Sequence, residues 1–122
     1  MSCEKEYQPI FESAARTATE TRTIACCQSS GLFFINVTAT SATPSVVFTI
    51  KGVDPLSSAT YTILASAAIT GTGLTVLRVC SDLTPAANTI AKDLLPQALE
   101  ITATHADSDS ITYSMSFMGV DV

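Results

Sequence analysis

Apolar and polar residues alternate with almost no error through residues 99–105 and again through 111–117. Leu99, Ile101 and Ala103, then Ile111, Tyr113, Met115 and Phe117, fall on one parity; Glu100, Thr102, Thr104, Thr112, Ser114 and Ser116 fall on the other. A period of two marks a strand with one buried face, and two such runs about a short polar turn predict a β-hairpin. The same reading continues upstream. Strands are expected over residues 21–27, 31–40, 45–51, 60–66 and 74–80, divided by turn residues such as Ser29-Ser30-Gly31 and Asp54-Pro55. The inward set predicted from parity is Phe33, Ile35, Val37, Val46, Phe48, Ile50, Tyr61, Ile63, Leu99, Ile101, Ile111, Tyr113 and Phe117.

Two stretches break the pattern. Residues 1–20 are charged and lack alternation, and Ile10, Phe11, Ala14 and Ala15 would share one face of a short helix that Pro9 could start. They are expected to be an N-terminal arm that orders on a neighbour, leaving 21–122 as the β domain. Between Leu83 and Leu95 alternation fails again, and Thr84 followed by Pro85 suits the start of a helical turn that Pro96 would end. Seven or eight strands in about a hundred residues are the spacing of a β-sandwich or a small Greek-key barrel. The chain of 122 residues is long enough for one such domain and too short for two.

Composition narrows the function classes. Only 14% of residues are charged, and seven of the seventeen lie in the first 22 positions, whereas Ser and Thr number 14 and 18. A surface of hydroxyls and small apolar groups defends poorly against association, which suits a protein packed against neighbours; Thr is also simply a good strand residue on a solvent face. The net charge is −5, with no cluster of Lys or Arg and no Trp. Nucleic acid is therefore not an expected partner. The N-terminus has no basic segment leading into an apolar one, and no apolar run reaches the roughly 18 residues of a membrane span. Synthesis in the cytosol and no membrane association are expected.

Candidate chemistry is sparse. His105 sits beside Asp107 and Asp109, but that turn is short and lacks the glycine of a calcium loop, so it is read as a turn satisfying its own backbone. No oxyanion-hole glycines follow Cys26, Cys27 or Cys80 that would pair one of them with His105 as a nucleophile. Cys3, Cys26, Cys27 and Cys80 contain no C-x-x-C knuckle for zinc. Asn36-Val-Thr38 is a formal glycosylation sequon, read as silent on a strand. The expectation is no enzyme, no cofactor and no metal. Adjacent Cys26 and Cys27 must face opposite sides of a strand, so at most one belongs to the core. An intermolecular disulfide from Cys3 to Cys26 or Cys27 of another subunit is the sharpest chemical expectation; packing of the cysteines as small hydrophobes, with Cys3 idle, is the plainer one.

The run Gly31-Leu-Phe-Phe-Ile-Asn-Val-Thr-Ala, then Pro44-Ser-Val-Val-Phe-Thr-Ile-Lys-Gly-Val-Asp-Pro55, then Thr60-Tyr-Thr-Ile-Leu-Ala-Ser-Ala-Ala68 resembles small structural proteins encoded with the virion genes of tailed bacteriophages. Leu94-Leu-Pro96, Ile101-Thr-Ala-Thr-His-Ala-Asp107 and Ser110-Ile-Thr-Tyr-Ser114 continue the likeness, which covers residues 31–116. Two positions depart from it: Ala98-Leu99-Glu100 stands where an Arg is common, and Ser58 where a Gly often follows the Asp-Pro turn. The resemblance implies a head decoration or cement protein, with tail or neck components as competitors and a carbohydrate- or ligand-binding adhesion sandwich as the alternative from another class. Its implied partners are the major capsid protein or another virion protein and further copies of itself, a trimer among the options. Its implied location is the virion, after synthesis in the host cytoplasm.

Overall fold

The computed structural model describes residues 6–120. Among them are nine strands and no helix: β1 (Glu6–Arg16), β2 (Glu20–Ala25), β3 (Ser30–Thr40), β4 (Val46–Val53), β5 (Thr60–Ala65), β6 (Gly73–Val79), β7 (Ile90–Ala91), β8 (Ala98–His105) and β9 (Ile111–Val120). They form two sheets, ordered β1-β9-β3-β6-β7 and β2-β8-β4-β5, packed face to face as a β-sandwich. Every pairing is antiparallel except that of β6 with β7.

The core lies between the sheets. Phe33, Ile35, Leu77, Ile111, Tyr113, Met115 and Phe117 enter from the first sheet, and Phe48, Ile50, Leu99, Ile101 and Ala103 from the second, each almost wholly buried. Rings cross the gap: Phe48, from the second sheet, meets Tyr113 edge-on at 5.0 Å between centroids and Phe11 at 6.4 Å. Burying each such side chain contributes about 1.5–3 kcal/mol, with up to about 1 kcal/mol more from ring geometry.

Alternation predicted the strands well and one pairing wrongly. Strands β8 and β9 are not a hairpin: β8 bonds to β2 and β4, and β9 bonds to β1 and β3. The turn through residues 106–110 carries the chain from one sheet to the other. Two consecutive strands with the same inward parity can lie side by side or face each other across a core, and period two does not distinguish these.

The expected arm and helix at residues 1–20 are replaced, over Glu6–Arg16, by edge strand β1. Register shifts between Pro9 and Phe11 and between Phe11 and Ala14 bury Ile10 and Phe11 side by side, which erases the period of two. Pro9 is tolerated because the strand is an edge and need not donate outward. The helical turn expected between Leu83 and Leu95 is also absent. Ala86 and Ile90 exchange backbone hydrogen bonds around Asn88, whose φ is 64°, and Ile90 and Ala91 then run parallel to the end of β6. In β5, a bulge opposite Ile50 and Lys51 moves Leu64 inward in place of Ile63, which is only partly buried, and Tyr61 is 47% exposed rather than in the core.

Candidate functional site

Charged and polar side chains that the sequence analysis did not connect meet where edge strands β1 and β2 close one side of the sandwich. Arg16 is buried there; it donates to the carbonyls of Tyr113 (3.0 Å) and Glu12 (2.7 Å), and its Nε lies 3.4 Å from Glu20. Its guanidinium is 4.8 Å from the centre of the Tyr113 ring, and Arg22, paired with Glu20 at 2.8 Å, sits 4.8 Å from that of Phe11. His105 Nε2 and the Tyr113 hydroxyl are 3.1 Å apart. Burial holds the Tyr113 phenol up to about 12, so at neutral pH it stays protonated. Burial also lowers the His105 pKa, against the opposing pull of Glu20 and Asp107, which favours the neutral ring. The cluster is a clasp between sheets: each guanidinium is committed to carbonyls, Glu20 or a ring.

The residues singled out from sequence are scattered. Asp109 Oδ2 accepts from the amide and hydroxyl of Thr43, and Asp107 Oδ1 accepts from the Asp109 amide, so both carboxylates pin turns at one end of the sandwich. Asn36 is exposed on β3. Strand β2 ends at Ala25, so Cys26 and Cys27 lie in the turn that follows it rather than on the strand expected from sequence; Cys26 is buried there, its thiol donating to the Gln28 carbonyl at 2.8 Å, and Cys27 is exposed. Cys80 is buried at the end of β6, beside an apolar notch of about 180 Å³ that Leu32 and Leu83 also line. Cys3 lies outside the described residues. No group of three or more His, Cys, Asp or Glu among the described residues could hold a metal ion.

The two ends of the sandwich differ in kind. At the end carrying the loops of residues 17–19, 41–45, 66–72 and 106–110, exposed positions are mainly Thr, Ser, Ala, Gly and Asp. The other end carries Leu56, 94% exposed, Leu94, 55%, and Tyr7 and Tyr61 near the rim. Leu74, 62% exposed at the start of β6, is the exception on the polar side.

Leu56 stands at the tip of the β4–β5 loop, and that tip is built rather than loose. Asp54 Oδ1 accepts from the Leu56 amide at 3.0 Å and Asp54 Oδ2 from the Ser57 hydroxyl at 2.7 Å. The Asp54 amide donates to Ala59 O and the Ser58 amide to Asp54 O, closing the loop at its base. The Ser57 hydroxyl and then the Leu56 amide hold the Asp54 carboxyl below its usual range, because both bond to the charged form. Beside the tip, Pro55 lines a cleft of about 290 Å³ with Ala25, Val53, Pro96 and Ala98. Sequence reasoning found this loop from Asp54-Pro55 but passed over Leu56; one leucine between turn formers was the available signal. Comparison of the chain with family models, with curated proteins and with solved structures returns no match. An apolar residue on a pre-set turn, beside a cleft lined mainly by apolar residues with Gln97, is equipped to be buried by another surface.

Proposed function

We propose that this protein is a structural component of a virion, a decoration or cement protein of a tailed-bacteriophage head, that seats its Leu56 end on the major capsid protein. The observation that carries the reading is the 94% exposure of Leu56 on a loop tied down by Asp54. A leucine held in water forgoes about 1.5–3 kcal/mol that a partner surface could return. Because hydrogen bonds already fix the loop, docking would lose little further entropy. The polar end would then face outward. The likeness of residues 31–116 to small virion proteins supplies the partner class, and the low charge agrees with a molecule that works by burying surface across subunit seams. Copies of the chain would meet on the same shell, as an oligomer assembled there.

The test is co-sedimentation of the purified protein with phage heads stripped of their accessory proteins. Saturable binding at a fixed ratio to capsid protein, with heads that better resist heat, is expected. Binding to purified tails or necks alone, or to host glycans alone, would replace this reading with one of its alternatives.

A further inference from the structure

The four cysteines are not equivalent. Cys26 and Cys80 are buried thiols, whereas Cys27 is exposed and its sulfur is in the disulfide state. Cys3 is the one cysteine of the chain left to partner it. The start of β1 lies beside the turn that carries Cys27: Gln8 Nε2 donates to the Ala25 carbonyl at 2.8 Å, two residues before Cys27. Three residue steps separate Cys3 from Glu6. At full stretch they span at most about 11 Å, and a disulfide asks only that two Cα atoms come within about 4.4–6.8 Å.

We propose that Cys3 and Cys27 of one chain are joined, bolting the outer edge strand of the first sheet to the corner where the chain crosses from β2 to β3. The bond would be internal to the subunit and would replace the intersubunit link expected from sequence. It would also occupy the exposed thiol that could cross-link neighbours. Edge strand β1 would gain most, because it pairs with β9 on one side only. Formation requires an oxidant, here a low-molecular-weight disulfide met outside the reducing cytosol. The Cys27 thiolate attacks it, forming a mixed disulfide and expelling one thiolate; the Cys3 thiolate then attacks the Cys27 sulfur and expels the second. Two protein thiols thus lose two protons and two electrons, and one oxidant molecule becomes two thiols.

The experiment equilibrates full-length protein, half of it uniformly ¹⁵N-labelled, with oxidised glutathione and blocks remaining thiols before mass analysis. The expected product is a monomer lighter by two hydrogen atoms. Its tryptic digest should hold peptides containing Cys3 and Cys27 linked to each other, always with matching labels. Cys3→Ser should leave Cys27 open to alkylation in the folded state, and peptide 1–5 should leave the digested wild-type protein only after reduction. Linked peptides of mixed label would establish the intersubunit bond instead, and alkylation of Cys27 in the oxidised wild type would overturn any disulfide at that residue.

Discussion

The Ser57 hydroxyl donates a hydrogen bond of 2.7 Å to Oδ2 of Asp54, whose other oxygen accepts from the Leu56 amide. One carboxylate therefore sets the shape of the tip that carries the most exposed leucine. Because its pKa is lowered, the loop is fully ordered above the ordinary value of 3.8 and loosens only as pH falls through the lower folded value. The Leu56 amide resonance should titrate below pH 3.8 in the wild type. In Asp54→Ala it should be insensitive to pH, and its hydrogen exchange should be faster at every pH.

Ser58 holds a φ of 66°, a left-handed conformation that suits glycine better than serine. Ser58→Gly should relieve that strain. The gain is partly offset by the freer unfolded chain, leaving roughly 0.5–1 kcal/mol of added stability in a denaturant titration.

The His105–Tyr113 pair predicts how stability responds to acid. The folded pKa of His105 lies below 6.5, so its contribution is complete above pH 6.5 and is lost as pH falls toward the folded value. Unfolding midpoints should decline as pH falls below 6.5 in the wild type, and His105→Gln should flatten that slope. In the alkaline direction, phenolate absorbance should show a late component near 12 that Tyr113→Phe removes.

Gly31 and Gly52 should respond differently to alanine. A Cβ at Gly31 would enter the ring of Phe117, which is 1% exposed and closed in by Phe33, with centroids 4.8 Å apart. A Cβ at Gly52 would meet the Tyr61 ring, which is 47% exposed and has room to swing outward. Gly31→Ala should cost about 1–3 kcal/mol and Gly52→Ala less than about 1 kcal/mol, read from the same denaturation curves.

Where a strand has one face in the core and an uninterrupted ladder, parity alone placed it. Phe33, Ile35 and Val37, or Leu99, Ile101 and Ala103, are buried as their spacing predicts. It failed where the ladder is irregular: bulges in β1 bury Ile10 beside Phe11, and the bulge in β5 exchanges Ile63 for Leu64. It also paired β8 with β9, which belong to different sheets, because a period of two does not say which strands are neighbours. The candidate site was harder to see. Asp54-Pro55 marks a turn, but that its tip projects Leu56 into solvent depends on how β4 and β5 are placed. The clasp of Arg16, Glu20, Arg22 and His105 joins residues nearly ninety positions apart.

The central claim is that the protein works by docking its Leu56 end. The most direct measurement compares wild type with Leu56→Asp in binding to stripped heads, after circular dichroism and melting confirm that both are folded alike. Loss of a central apolar anchor costs at least about 2 kcal/mol, so affinity should fall roughly thirtyfold or more, while Leu74→Asp at the opposite end should bind as the wild type does. Equal binding by Leu56→Asp and wild type would contradict the account.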